Sequence, residues 1–500
     1  MHRRTRFVLL LVAMVLSGCA TSSPFNQTFV EVRTTHFVLT SSLGEDASLV
    51  LARDLETFHT ALVATLDLGS ALADRPPSHV FAFDGRSVDR PFSIAGEPAY
   101  VLPTVDDAIF VFRSGGDFAH RATADLRHDY AHRVLRDALP VPAPLWLEEG
   151  LAQLAGSITV HGGAAFVGDY VPELRQIVLD WRVEDLTEGF WREDLLDRSP
   201  AERRRFEARA WAVAHALLFG QSPGHAADGS WARIRGALLR GDRAALDRGI
   251  DAIGLDDPAF SPGVYAHLER RKLAVRRMSL EGFRRDAVAV VALAPEEART
   301  RLAELAVELG KPQLARGYYE RALEADPGFA RARAGLALVD AMEGRLAGLE
   351  AALEGGGADT GTHLVLAEAC RLAGLAASQP ARRTAWLDRA REAAAASLVL
   401  DPASARARLT MAATHLVSEE DPARAAEWLA SARALRRGAL EIGLWQARLE
   451  AATGGVRAAA VAARELGSRS HWTPFVRRAE AFAEAAGAGE RFPAFDATGR

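Results

Sequence analysis

The sequence predicts two folded units in tandem, an α+β domain followed by an all-α domain, and three observations lead there. The chain has 500 residues, more than the roughly 250–300 at which one hydrophobic core stops growing and a second begins. Up to about Arg285, short β-rich apolar runs alternate with amphipathic helical stretches, and beyond it the strand signals vanish. From Glu296 to Arg500 the sequence is almost wholly Ala, Leu, Arg and Glu punctuated by Asp-Pro, the composition of packed helices. With 49% hydrophobic and 25% charged residues, the chain is neither a disordered polymer nor a polytopic membrane protein.

The first element is a leader. His2, Arg3, Arg4 and Arg6 form a basic head ahead of the apolar run Phe7 to Leu16, about ten residues where a spanning helix needs roughly 20. Leu16-Ser17-Gly18-Cys19 follows directly, and this stretch resembles the lipobox of bacterial lipoproteins. The resemblance implies a signal peptide over residues 1–18, cleavage before Cys19 and acylation of that cysteine. Several acyl chains on one residue hold a protein to a membrane where a single chain does not. Residues 19–28, with Ser and Thr prominent, read as a linker between the anchor and the folded body. The expected address is the bacterial cell envelope. Ala20 is not the aspartate that retains some lipoproteins at the inner membrane, so the outer membrane, facing the periplasm, is preferred. The net charge of −5 becomes −8 when Arg3, Arg4 and Arg6 leave with the leader, which argues against nucleic acid as a partner. With Cys19 acylated, Cys370 has no disulfide partner and reads as a packing residue.

Residues 29–285 carry the mixed pattern. Phe29 to Arg33 and His36 to Thr40 read as strands, Glu45 to Leu66 as an amphipathic helix, and His79 to Phe83 and Ala108 to Arg113 as further strands. Ala108 to Arg113 is either an edge strand, able to hold a peptide by main-chain pairing, or an interior one. Phe118 to Leu139 is helical by period. Pro140-Val-Pro-Ala-Pro144 breaks it, and Trp146 to Ala155 resumes as a helix that doubles back. Glu202 to Phe219 is another helix, stopped by Gly220.

Residues 286–490 form the helical part. Within it, Leu302 to Asp326-Pro327 places Ala306, a turn at Gly310, Ala315, Tyr318-Tyr319, Ala322-Leu323 and a closing Asp-Pro in an order that resembles a tetratricopeptide repeat. Weaker copies follow through Gly344, Asp401-Pro402 and the Ala425, Trp428, Ala432 series. Small residues are needed where paired helices approach closely, and proline starts the next helix without continuing the last. Such repeats imply a groove for a protein partner. An irregular helical bundle is the alternative.

The chemistry sits in Leu126-Arg-His128-Asp129-Tyr-Ala-His132 and Leu145-Trp146-Leu147-Glu148-Glu149-Gly150. Four residues turn a helix by about 400° and advance it by about 6 Å, so His128 and His132 leave one face and can meet one ion. A catalytic zinc takes three protein ligands, and a carboxylate from a facing helix commonly completes two histidines. Glu149 can supply it. A His-x-x-x-His pair alone is weak evidence. The two segments together resemble the gluzincin zinc peptidases, in particular the bacterial peptidase-MA-like group, where a His-Glu-x-x-His helix precedes a Pro-x-Trp-Leu-x-Glu-Gly-Leu-Ala helix. Pro144 to Ala152 follows the latter at every position.

That resemblance implies a zincin-like α+β domain joined to a tetratricopeptide-like one. It further implies Zn²⁺ held by His128, His132 and Glu149, a protein or peptide substrate, and peptide hydrolysis beside a membrane. Glu148 takes the variable place. Where the family has glutamate as its catalytic base, this chain has Asp129, shorter by one methylene. In the family that carboxylate takes a proton from the attacking water and passes it to the leaving amine. A base contributes ~10²- to 10⁴-fold, so loss of reach gives the alternative expectation of a catalytically weak or inactive zinc-binding scaffold. Tyr130 points off the ligand face and reads as packing, as does His215, and neither His120 nor His161 has ligand spacing.

Overall fold

The computed structural model describes residues 27–489 apart from 69–71, 73–75, 85–89, 93–98, 106–107, 114–118, 162, 169–170, 192–198, 221–226, 281–287, 358 and 419–420. The leader and Cys19 lie outside the described residues, as do the side chains of His120 and His161. Among the described residues no helix is long and apolar enough to cross a membrane.

The α+β expectation holds. Val30–Arg33 (β1), Phe37–Ser41 (β2), Ser78–Phe83 (β3), Ala99–Pro103 (β4), Ala108–Arg113 (β5) and the later Ala289–Ala292 form one six-stranded sheet. Its order is β4-β5-β3-β2-β1 and then Ala289–Ala292, with β2, β3 and β5 parallel and the outer pairings antiparallel. Helix Glu45–Leu66 (α1) makes the crossover from β2 to β3. Of the two readings of Ala108–Arg113 the interior one holds, and the edge belongs to Ala99–Pro103, a strand absent from the sequence reading. Ala289–Ala292 lies past Arg285, where the sequence pattern predicts no strand, because four residues are too few to show a period.

The sheet is buried on both faces, and strand alternation decides what each face meets. Leu39, Val80, Ala82, Phe110 and Phe112 join Leu55, Phe58 and Leu62 of α1 in one core. Phe29, Phe81, Phe83, Phe92, Tyr100 and Val111 join the first repeat helices in a second. The helical half is thereby built onto the sheet and does not trail from it. It runs as tandem antiparallel hairpins from Pro295–Glu308 and Pro312–Ala325 to Val456–Ser468 and Thr473–Gly487. Gly310 turns the first hairpin at φ 68°, a backbone state that costs glycine little. Gly335 must be small, since a Cβ there would lie 2.1 Å from the Tyr319 ring. Cys370 is buried, as a packing residue should be.

Helix Ala119–Ala138 (α2) and helix Leu145–Gly156 (α3) face each other across the proline turn, and Pro200–Phe219 packs behind α3. Tyr130 points from α2 into the core, against Phe37, Phe58 and Phe110. Its hydroxyl is hydrogen-bonded to Nδ1 of the buried His59 at 2.7 Å. Burial above all, with smaller effects of the neighbouring His36 and Arg133 that outweigh the opposing pull of Glu56, draws the His59 pKa down to about 3 against the ordinary 6.5. Between these values the unfolded chain binds a proton that the folded chain refuses, so stability rises with pH across that window. The thermal midpoint is therefore expected to fall as pH drops from 7.5 to 5, and less steeply in His59→Gln. Parallel curves for the two proteins would remove His59 from the account.

Candidate metal centre

Two helices and one loop build the centre. From α2, His128 and His132 present their Nε2 atoms 3.2 Å apart. From α3, Glu149 places Oε1 at 3.4 Å from His128 Nε2 and Oε2 at 3.3 Å from His132 Nε2. The three expected ligands therefore converge. The loop between Val456–Ser468 and Thr473–Gly487 adds His471, whose Nε2 stands 3.6 Å from Glu149 Oε2. The ligand atoms of these four residues all lie within 4.8 Å of one another. Zinc bonds of about 2.1 Å in a tetrahedron put ligand atoms about 3.4 Å apart. The observed spacings match that edge length, and two imidazoles with a carboxylate are the donor set zinc takes, so the residues fit the ion.

Around them lies an orienting shell that the sequence did not disclose. Glu148, adjacent to Glu149 but rotated about 100° around α3, accepts a hydrogen bond from His132 Nδ1 at 2.9 Å. Its carboxylate also receives Arg136 Nε at 2.6 Å and Arg469 Nη1 at 2.8 Å. A carboxylate on the far nitrogen fixes the histidine tautomer and turns Nε2 inward. The variable place of the motif thus has a definite duty. Gln153 donates to Glu149 Oε1 at 3.1 Å from one turn along α3. Gly150 lets α3 approach the helix behind it, because a Cβ there would lie 2.3 Å from the Ala210 carbonyl oxygen.

Asp129, the residue expected to act as a base, faces the returning loop. His471 Nδ1 lies 3.0 Å from its Oδ1. Asp129 and His471 are far apart in sequence, and no local pattern announces an imidazole arriving from residue 471. Only the chain's return over α2 brings it there. Arg469 bonds the Ala143 carbonyl as well as Glu148, Arg136 donates to the Arg469 carbonyl, and Trp472 stacks on Tyr100 at 5.9 Å. The loop is therefore pinned on both sides of His471.

The electrostatics follow from burial and proximity. Burial draws His128 down to about 4, outweighing the pull of Glu149. Burial also pushes Glu149 up, but His128, His132 and His471 together hold it well below the usual carboxylate range. Glu148 is pushed up by burial and drawn down further by Arg136, His132 and Arg469. Asp129, against its own burial, is lowered by its bond with His471. On Pro200–Phe219, burial and then the charge of Glu149 raise Glu207. His215 on the same helix is a packed residue, as expected: its Nε2 donates to the Gly168 carbonyl at 3.0 Å, and its Nδ1 accepts from His267 at 2.8 Å.

Two solved structures are similar to part of the chain. One is the crystal structure of a thermophilic TPR protein of Thermus thermophilus, at 21% identity and TM-score 0.33, covering 39% of this chain and 98% of that one. The other is that of YrrB, a TPR protein with an unusual peptide-binding site, at 18% identity and TM-score 0.24, covering 37% of this chain and 90% of that one. No protein-family model and no curated protein matches the chain.

Proposed function

We propose that the chain is a zinc-binding protein of metallopeptidase type, tethered to the bacterial outer membrane through Cys19, whose helical repeats receive a protein or peptide. The carrying observation is the convergence of His128, His132 and Glu149, with Glu148 behind His132, on spacings that suit one zinc ion. The zincin-like assignment of the first domain rests on the same residues and on the motif from Pro144 to Ala152. A zinc ion held there supplies Lewis acidity to a peptide carbonyl. Asp129 is the carboxylate available to hold the proton that hydrolysis moves. For the partner, a cavity of about 360 Å³ lies between the edge strand β4 and the inner repeat helices, lined among others by Leu102, Thr104, Arg371, Trp445 and Arg478. That volume suits a few side chains of an extended peptide. The anchor rests on Cys19 and the apolar run before it.

A second reading, a zinc-binding scaffold without hydrolysis, is favoured by the hydrogen bond that engages Asp129. Metal analysis of the detergent-purified full chain decides the common part, with one zinc per chain expected. Peptide hydrolysis by the wild type and by Asp129→Glu decides the rest. A rise on lengthening the side chain supports the peptidase. One zinc with both forms inert leaves the scaffold, and a chain that takes up no zinc ends both readings.

A further inference from the structure

We propose that His471 is a fourth protein ligand, delivered by the repeat domain and oriented by Asp129, so that the zinc site is closed by the chain itself. This deepens the zinc reading above and depends on it. Two histidines of the centre are built alike. In His132, Nδ1 is held by the Glu148 carboxylate at 2.9 Å and Nε2 faces Glu149 Oε2 at 3.3 Å. In His471, Nδ1 is held by the Asp129 carboxylate at 3.0 Å and Nε2 faces the same oxygen at 3.6 Å. In each case a carboxylate accepts a hydrogen bond from Nδ1–H and so leaves the Nε2 lone pair for an ion. The His471 ring also stands close to both ligand rings of α2, stacked on His128 at 5.3 Å and edge-on to His132 at 4.8 Å.

This assignment explains the aspartate. A shorter carboxylate at position 129 serves a partner that reaches down to it from across the site. Charge is balanced as well: Glu149 and Asp129 offset a divalent ion, while Glu148 and Glu465 offset Arg136 and Arg469. Four protein ligands are the pattern of a closed zinc site, three with an open place the pattern of a catalytic one. His471 is thus the element that separates the two states. Its side chain remains 46% exposed, while the residues on either side of it are held by Glu148, Ala143 and Tyr100.

The test is zinc affinity by chelator competition on the detergent-solubilised full chain, with the Co²⁺ visible spectrum as a second readout of coordination. His471→Ala is expected to weaken zinc binding at least as far as Asp129→Asn. Loss of a residue that orients a ligand typically costs about 10- to 100-fold. The double variant should bind no more weakly than His471→Ala alone, because Asp129 acts through His471. The Co²⁺ spectrum should change in His471→Ala, and the apo-protein melting temperatures in EDTA should stay together. Wild-type affinity and an unchanged spectrum in His471→Ala would overturn the proposal, as would an undiminished effect of Asp129→Asn in the His471→Ala background. His132→Ala separates the layers: zinc lost there but untouched in His471→Ala defeats the fourth ligand and spares the three-ligand site.

Discussion

Replacing Glu148 by alanine is expected to lower zinc affinity by about 10- to 100-fold and to destabilise the folded chain by about 3–5 kcal/mol. Its carboxylate is 2% exposed and compensates two guanidinium groups, Arg136 on α2 and Arg469 on the returning loop. Removing it takes the buried partner from two largely buried cations and leaves Arg469 only the exposed Glu465, and breaking a buried pair by removing one partner is the costly case. The same deletion frees His132 Nδ1 and with it the ring tautomer. Glu148→Gln should keep an acceptor for His132 while losing the charge, so it should lose stability with a smaller loss of zinc. Chelator competition and chemical denaturation measure the two effects separately. Unaltered zinc affinity in Glu148→Ala would show that the ring needs no such support.

The second large effect is expected at Gly150. A methyl group there would meet the Ala210 carbonyl oxygen at 2.3 Å and the Ala214 Cβ at 2.7 Å, and both lie on a rigid, buried helix. Such a clash is relieved only if α3 moves away. Overpacking of this kind costs about 1–3 kcal/mol, occasionally more. Because Glu148 and Glu149 ride on the same turn, the displacement should also widen the ligand set. Gly150→Ala is therefore predicted to lose stability and zinc affinity together, as read by melting temperature and chelator competition. A stable variant that binds zinc normally would mean that α3 adjusts without moving its carboxylates.

Much of the centre is legible in the sequence because helical geometry is local. The four-residue spacing of His128 and His132, the proline turn and the motif ending in Gly150 suffice to bring Glu149 opposite them. The long helices α1 to α3 are legible for the same reason, since each contains several periods. What depends on distant packing is hidden. Strand Ala289–Ala292 owes its identity to pairing with β1 and not to its own pattern. His471, lodged among Ser, Trp and Pro in a loop of ordinary composition, gains its place from a return path of more than three hundred residues. The role of Glu148 falls between the cases: its neighbour was readable as a ligand, but its bond to His132 Nδ1 appears only once the two helices are set side by side.

The contact between His471 and Asp129 spans 342 positions of the chain, and that separation bears on how the protein is made. Long-range closures carry the largest entropy cost and form slowly, whereas the α2–α3 hairpin joins neighbours and can form early. On the proposed four-ligand site, a nascent or partly folded chain would thus pass through a stage at which His128, His132 and Glu149 are assembled and His471 has not arrived. Maturation of the centre is then a late event, coupled to completion of the last helical hairpin, and truncation after Ser468 would freeze the molecule at the earlier stage.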